Sequence, residues 1–211
     1  MVRWKITERK LGGWWPAELG PLAEAVAMVQ PPGHVLEIGV YQARSLTCLA
    51  ATLRPGERAL GVDAFEGAPF DENHGDEATA RSNLEEYATG VVDLWVADSA
   101  TLSAEAVEAR LDGPVRLAHV DGGHTFAEAL HDLSLAESLL AAGGVLLLDD
   151  LFCTEWPEVG AAWYTFWNER PHLVPFAIAG ARLWITTDVA AAERYRHVMN
   201  QAHAASAITY R

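Results

Sequence analysis

The most constraining feature of this chain is a short apolar run with an acid at or near its C-terminal end, which recurs along the sequence. Segments of helical character separate each run from the next. Because strands that alternate with helices pair side by side in a parallel sheet, the pattern predicts an α/β fold. The runs are HVLEIGV (34–40), RALGVDAF (58–65), VVDLWVAD (91–98), VRLAHVD (115–121) and VLLLDD (145–150).

The last part of the chain departs from this alternation. Two further strand-like runs, LVPFAIA (173–179) and ARLWITT (181–187), are joined by Gly180, and so short a join predicts a hairpin with one antiparallel strand. The sequence therefore predicts a doubly wound, mostly parallel seven-stranded sheet with an antiparallel terminal hairpin. Residues 1–211 are expected to form a single domain in which 1–32 are a helical lead-in. Helices are predicted at 13–30, 44–53, 77–88, 103–110, 125–141, 156–169 and 189–203.

The charge balance limits the choice of partners. The chain carries 29 acidic and 15 basic side chains, a net charge of −14, and such a field repels a phosphate backbone. Nucleic acid is therefore disfavoured, and a small-molecule substrate is expected instead. No apolar run approaches the roughly 20 residues that span a bilayer, and the charged N-terminus lacks a secretory pattern. We expect no membrane association and a cytoplasmic location.

Each of the first five predicted strands carries an acid near its carboxyl end. In doubly wound sheets, ligands bind beyond these ends, near the point where the strand order reverses. An acid at a strand end is also a common loop residue or helix cap, but its recurrence at successive strand ends favours a shared ligand. The stretches that would meet this ligand are 37–45, 63–65, 98–99, 121–124 and 149–150.

The loop after the first strand argues against a dinucleotide ligand. The GxGxxG motif needs its second glycine so that the backbone can approach the pyrophosphate. Counted from Gly39, that position holds Tyr41 and the third glycine position holds Arg44. A bulky ring at this point obstructs a pyrophosphate, so NAD is disfavoured.

S-adenosylmethionine suits the same loop better, because it carries no phosphate. Glu37 beside the loop suits a ligand that bears an ammonium and a sulfonium, and Asp63 is placed to accept hydrogen bonds from both ribose hydroxyls. Asp98 and Ser99 are placed to reach the adenine edge. The expected cofactor-binding residues are Glu37, Gly39, Tyr41, Ser45, Asp63, Phe65, Asp98, Ser99 and Asp121.

Four motifs together resemble the small class I methyltransferases related to antibiotic and sugar O-methyltransferases. They are LEIGVYQARSLTCLAATL (36–53), GVDAF (61–65), AHVDGGHTFAEALHDL (118–133) and GGVLLLDDLF (143–152). The resemblance implies a Rossmann-like methyltransferase fold and S-adenosylmethionine as the methyl donor. The family usually has glycine where this chain has Ala43, and the extra methyl group is expected to displace the loop slightly and weaken cofactor binding.

Three carboxylates, those of Asp121, Asp149 and Asp150, end the fourth and fifth runs. If these strands are neighbours, their backbones lie about 4.8 Å apart, and crowded carboxylates repel unless a cation neutralises them. Oxygen ligands suit Mg²⁺ or Ca²⁺ better than zinc. The resemblance implies the same, since several relatives hold a divalent cation here to orient a substrate hydroxyl. The alternative is that Asp149 caps the following segment and Asp150 faces solvent.

His124 follows the pair Gly122–Gly123 and precedes the helix start. It is the best-placed general base, because imidazole titrates near neutral pH and can take a hydroxyl proton as the methyl group moves. Asp121 is the rival base, and a purely structural role for His124 at a helix start is the alternative. His119 within the apolar strand and His131 on the following helix are expected to be structural.

These observations predict metal-assisted O-methylation of a small hydroxylated metabolite, such as a sugar or natural product. Two alternatives stay open: a metal-independent transfer to nitrogen or carbon, and a non-catalytic binding or assembly protein that has kept the fold. The 66–76 loop is expected to act as a lid. The candidates to line an acceptor pocket are Trp14, Trp15, Trp156, Trp163 and Trp167. The helical spacing of the last three favours a place in the core or in a homodimer interface instead.

Overall fold

A computed structural model describes residues 11, 15–16, 18–65 and 75–208, with side chains described up to residue 204. Seven strands form one sheet in the order β3-β2-β1-β4-β5-β7-β6. The strands are β1 His34–Ile38, β2 Arg58–Asp63, β3 Val91–Val96, β4 Val115–Val120, β5 Leu140–Leu148, β6 Val174–Ala179 and β7 Arg182–Thr186.

Helices occupy the connections between the strands and the two ends of the described chain. A single 3₁₀ turn, Ser99–Thr101, follows β3. The α-helices are α1 Leu19–Ala27, α2 Arg44–Ala50, α3 Glu77–Tyr87, α4 Ala104–Leu111, α5 Phe126–Leu139, α6 Pro157–Asn168 and α7 Val189–Ile208. In the part of the chain that is described, no helix has the length and apolar character needed to cross a membrane.

The pairing of the strands confirms the predicted α/β sheet. The strands β3, β2, β1, β4 and β5 are parallel neighbours, whereas β7 lies antiparallel between β5 and β6. Gly180 and Ala181 link β6 to β7 with φ values of 57° and 63°, as a tight hairpin turn requires. The strand order reverses between β1 and β4, so this is where the fold places a ligand site.

Several predicted boundaries differ from the structure by a few residues. The helix predicted at 13–30 is described only as α1, and residues 13, 14 and 17 lie outside the described residues. The strand β5 begins at Leu140 rather than Val145. Its pairing with β4 is irregular at first and becomes regular where Val145 lies opposite Leu117, so the sequence pattern identified the regular part of the strand.

Hydrophobic side chains fill both faces of the sheet. One face buries Leu46, Trp184 and Tyr195 beneath helices that include α1, α2 and α7. The other buries Leu133 and Phe166 beneath α4, α5 and α6. Helices on both faces leave the carboxyl edge of the parallel strands as the open end where loops can meet a ligand.

Candidate active site

The loop after β1 passes directly against the end of β4. Gly39 has a φ of +86°, and a Cβ atom built there would lie 1.8 Å from the carbonyl oxygen of Asp121. The backbone N–H of Asp121 donates to the carbonyl of Ile38 at 2.8 Å. The glycine therefore brings the predicted cofactor loop and the predicted catalytic Asp121 together at the strand-order reversal.

Asp63 organises this loop from the end of β2. Its Oδ2 accepts hydrogen bonds from the backbone N–H groups of Val40 at 2.7 Å and Tyr41 at 2.8 Å. Its Oδ1 accepts one from the N–H of Phe65 at 2.7 Å. The predicted contact of Asp63 with ribose stays a prediction, and any ribose hydroxyl would share a carboxylate that already shapes the loop.

Ala43 occupies the left-handed backbone region at the start of α2, with a φ of 63° and a ψ of 24°. This conformation costs an alanine roughly 1 kcal/mol relative to glycine. The methyl group is fully buried, and the N–H of Ala43 donates to the carbonyl of Val40 at 2.8 Å. The loop thus closes around the methyl group in a regular turn.

Glu37 lies fully buried in β1, beside the loop. Burial raises its pKa to about 8, against the opposing effects of Ser45 and Arg182. Its Oε1 lies 2.7 Å from Nδ1 of His119, and its Oε2 accepts no hydrogen bond from the described part of the chain. A carboxyl group in this state is neutral at pH 7, and a cationic ligand nearby would favour its ionisation.

The tautomer of His119 follows from its partners. Nε of Arg182 donates to Nε2 of His119 over 3.2 Å, and because a guanidinium can only donate, Nδ1 must carry the imidazole proton and donate to Glu37. Burial holds the pKa of His119 well below 6.5, as the neutral ring requires. The structural role predicted for His119 agrees with this geometry.

The acids at the ends of β4 and β5 divide into two groups that share Asp121. One combines His119, Asp121 and Asp149, and the other combines Asp121, His124 and Asp150, each with ligand atoms within 4.8 Å of one another. Both ring nitrogens of His119 are engaged, so the first group does not suit a cation. The second offers two carboxylates and one imidazole, donors that a divalent cation accepts.

The electrostatics of Asp121 favour such a cation. Burial and the neighbouring carboxylate of Asp149 hold the pKa of Asp121 well above its usual value, and Asp150 adds to the effect. Arg182 opposes the shift and forms an ion pair with Oδ2 of Asp149. Oδ1 of Asp149 accepts a hydrogen bond from the N–H of Asp150 at 2.9 Å.

His124 is held from two sides at the mouth of the site. Its Nε2 lies 3.0 Å from Oδ2 of Asp150. Its ring stacks on Trp156, with centroids 4.4 Å apart and an interplanar angle of 15°. Both side chains of the His124–Asp150 pair are partly exposed, so a substrate hydroxyl can approach them.

A family model of the methyltransferase domain matches residues 36–151, which include the loop after β1 and all three acids at the ends of β4 and β5. The chain belongs to the methyltransferase domain family. It is a class I methyltransferase that uses S-adenosylmethionine, and the expected family resemblance is confirmed. None of the curated proteins matches the chain.

Solved structures of methyltransferases share the fold of this methyltransferase. NovP, an O-methyltransferase, is 14% identical with a TM-score of 0.65, over 82% of this chain and 84% of NovP. The calicheamicin methyltransferase CalS11 is 19% identical with a TM-score of 0.62, over 80% of this chain and 77% of CalS11. An O-methyltransferase from Bacillus cereus in complex with SAH is 15% identical with a TM-score of 0.61, over 88% and 90%.

Asp98 and Ser99, predicted to contact the adenine, each make a hydrogen bond within the protein. Oδ1 of Asp98 accepts from the N–H of Ala100 at 2.9 Å and so caps the 3₁₀ turn. The carbonyl of Ser99 lies 2.9 Å from Nε2 of His131, consistent with a structural His131. Contact of Asp98 or Ser99 with adenine stays a prediction.

Sequence reasoning missed Asp132 and Arg182, two buried charged residues at the site. Asp132 lies beneath the Gly122–Gly123 segment, where burial raises its pKa to about 6. A Cβ atom on Gly122 would lie 2.5 Å from its Oδ2, which explains the glycine before His124. The sequence did offer a signal for each: Asp132 falls on the buried face of α5, and Arg182 falls inside the apolar run of β7.

The tryptophans predicted for a pocket or an interface differ in how far they are buried. Trp15 and Trp163 are buried, whereas Trp167 is 39% exposed and stacks on Trp163. Trp156 contacts the site through His124. Trp14 and most of the predicted 66–76 lid, residues 66–74, lie outside the described residues.

Proposed function

We propose that this methyltransferase transfers the methyl group to a hydroxyl of a small metabolite, with a divalent cation at the acceptor side of the site. The observation that carries the proposal is the group of Asp121, His124 and Asp150 at the ends of neighbouring parallel strands, with ligand atoms within 4.8 Å. Such a group has a cation-binding function and a proton-accepting function in one place. Both functions activate a hydroxyl acceptor, by deprotonation or by polarisation, whereas the sulfonium of the donor is already activated.

The carboxylates that would hold Mg²⁺ are those of Asp121 and Asp150. Asp149, the third acid of the predicted ligand set, lies beside them, with Oδ2 in the ion pair with Arg182 and Oδ1 accepting from the N–H of Asp150. Two carboxylates with raised pKa values, Asp121 and Asp149, indicate a surplus of negative charge that Arg182 only partly offsets. Hard oxygen ligands at this density suit Mg²⁺. When bound, the cation would polarise the acceptor hydroxyl and lower its pKa.

His124 is proposed as the general base, with Asp121 as the rival. The carboxylate of Asp150 faces Nε2 of His124 at 3.0 Å, which favours a proton on Nε2 and leaves Nδ1 to accept the proton of the hydroxyl. Stacking on Trp156 limits rotation of the ring. The remaining rate enhancement would come from aligning the oxygen with the methyl group and sulfur.

The proposed acceptor is a sugar or another hydroxylated natural product. An apo structure of CalS11 is described as that of a TDP-rhamnose 3'-O-methyltransferase in calicheamicin biosynthesis, with 19% identity to this chain. TomG is described as an O-methyltransferase involved in tomaymycin synthesis, with 16% identity. These similar structures support a hydroxyl acceptor, and they make nucleotide sugars and other hydroxylated natural products the first compounds to assay.

The test combines chelation with a direct measurement of cation binding. Protein treated with EDTA should lose most of its transfer to a hydroxyl acceptor and recover it with Mg²⁺. Mn²⁺ alone, followed by electron paramagnetic resonance, should bind the wild type and not Asp121→Asn. Asp93→Asn, on the exposed surface of β3, should bind Mn²⁺ like the wild type.

Four results would contradict the proposal. Transfer to a hydroxyl acceptor that survives chelation would exclude the cation, and turnover only with nitrogen or carbon acceptors would exclude O-methylation. Unchanged Mn²⁺ binding in Asp121→Asn would place any cation elsewhere. Failure to bind S-adenosylhomocysteine at micromolar concentration would favour a non-catalytic binding protein.

A further inference from the structure

A fully buried arginine, Arg182, lies between the cofactor side and the acceptor side of the site. It belongs to β7, the antiparallel strand next to β5. One end of its guanidinium forms an ion pair with Asp149, and its Nη1 donates to the carbonyl of Gly180 at 3.0 Å. The ring of Trp15 covers it, with 5.0 Å between the guanidinium carbon and the ring centroid.

Hydrogen bonds run from Arg182 across the sheet to the cofactor loop. Nε of Arg182 donates to Nε2 of His119 over 3.2 Å, and Nδ1 of His119 lies 2.7 Å from Oε1 of Glu37. The direction of each bond is fixed, because the guanidinium is a donor only and the imidazole has one proton to give. These two hydrogen bonds therefore link β7, β4 and β1, and each has one fixed donor and one fixed acceptor.

We infer that Arg182 is a positioning residue for methyl transfer, which holds Asp149 directly and orients Glu37 through a single tautomer of His119. Because His119 is neutral, Arg182 transmits the orientation of the ring to Glu37 rather than a charge. The planar guanidinium of Arg182 thereby holds Asp149, on the acceptor side, at a fixed position relative to Glu37, beside the methyl donor. The inference uses the binding of S-adenosylmethionine and does not depend on the proposed cation.

A second buried arginine shows what a purely structural role looks like in the same sheet. Arg116 of β4 is also fully buried, and it contacts Glu57 at 3.0 Å, Gln30 at 2.7 Å and the carbonyl of Thr52 at 2.9 Å. These partners lie toward the amino ends of the parallel strands, away from Glu37. Arg116→Lys is therefore a matched control for replacing a buried arginine in this protein.

The first experiment is a double-mutant cycle on the binding of S-adenosylhomocysteine, measured by calorimetry. Arg182→Met and Glu37→Gln should each weaken binding by roughly tenfold, as expected for supporting residues around a functional site. If Arg182 acts through Glu37, adding Arg182→Met to Glu37→Gln should change the affinity less than about twofold, because coupled residues are not additive. Effects that multiply would overturn the inference, as would wild-type affinity in Arg182→Met.

Arg182→Met removes the ion-pair partner of Asp149 and would not fold if that pair is essential for stability. A second variant, Arg182→Lys, covers that case. Arg182→Lys retains a charge for Asp149, but a single ammonium does not reproduce the directed bonds of the guanidinium to both Asp149 and His119. We expect Arg182→Lys to fold and to bind S-adenosylhomocysteine several-fold more weakly, whereas Arg116→Lys keeps wild-type affinity. Wild-type affinity in Arg182→Lys, or an equal loss in Arg116→Lys, would overturn the inference.

The position of the proton on the His119 ring can be measured directly, and a general loss of stability would not change it in the folded protein. In ¹⁵N nuclear magnetic resonance spectra, the wild type should show His119 as the neutral Nδ1–H form, assigned by its absence in His119→Gln. Arg182→Lys should lose this single form, because no donor then faces Nε2 in the same way. A wild type with its proton on Nε2, or an unchanged signal in Arg182→Lys, would contradict the proposed role of Arg182.

Discussion

Nε2 of His124 lies 3.0 Å from Oδ2 of Asp150, and both side chains are partly exposed at the carboxyl edge of the sheet. The capping box of Thr125 and Glu128 begins α5 immediately after His124. The backbone that carries the imidazole is therefore fixed by a helix start, and the ring is fixed by Asp150 and Trp156. An imidazole held in this way is pre-oriented toward a ligand at the carboxyl edge.

If His124 is the base, His124→Gln should lower kcat by about a hundredfold or more and leave KM for S-adenosylmethionine nearly unchanged. Steady-state kinetics with the best hydroxyl acceptor provide the measurement. His172→Gln is the control, since His172 is exposed and its Nε2 lies 2.7 Å from Oε1 of Glu137. A kcat within a few-fold of wild type in His124→Gln would leave Asp121 as the base.

Gly39 and Gly56 form a matched pair that isolates the contact between the cofactor loop and β4. Both have a φ of +86°, but a Cβ atom on Gly56 meets nothing within 4 Å, whereas one on Gly39 would overlap the carbonyl of Asp121. Gly56→Ala should lower the free energy of unfolding by roughly 1 kcal/mol from backbone strain alone. Gly39→Ala should cost at least about 2 kcal/mol more, because the steric overlap adds to that strain.

Urea unfolding of the two glycine variants checks this difference, and S-adenosylhomocysteine binding should be lost only in Gly39→Ala. Equal costs at the two positions would mean that the loop moves freely away from Asp121. The close approach would then not be needed for the site.

Replacing Asp63 should damage the cofactor loop as well as any contact with ribose. Asp63→Asn removes the charge and one of two oxygens that accept bonds from Val40, Tyr41 and Phe65. We expect a loss of about 1.5–3 kcal/mol in the free energy of unfolding, typical of hydrogen bonds to a charged group. Asp93→Asn, which breaks an exposed pair with Arg110, should cost less than about 1 kcal/mol. Thermal and urea unfolding of both variants measure the difference.

The sequence predicted the sheet because strand periodicity and turn residues are local signals. The same reasoning placed Asp121 and Asp150 in one site, since parallel strands end at a common edge. It missed the contacts of Arg182 with Asp149 and His119, because the partners of a buried arginine depend on the register of β7 against β5, which no local pattern encodes. Asp63 illustrates a second limit: an acid at a strand end was predicted to meet ribose, and its carboxylate also binds the backbone of the neighbouring loop.

Glu37 should make the ligand-free protein less stable as the pH rises. Its folded pKa of about 8 lies above its ordinary value of 4.5, so the folded state holds the proton more tightly than the unfolded state. The stability that Glu37 contributes is therefore fully present below pH 4.5 and is lost as the pH rises through 8. Glu37→Gln keeps an acceptor for His119 and should be more stable than the wild type at pH 8.5. Urea unfolding at pH 6 and pH 8.5 tests this, and equal pH dependence in both proteins would contradict it.

The same buried acid should release a proton when the methyl donor binds. At pH 7 the ligand-free Glu37 is mostly protonated, because its pKa is raised to about 8. The ammonium and sulfonium of S-adenosylmethionine would favour the carboxylate, so binding should release about one proton. Calorimetry in buffers with different ionisation enthalpies measures the number of protons directly. Glu37→Gln should bind more weakly and release none, and a wild type that binds without proton release would place the cationic end of the donor away from Glu37.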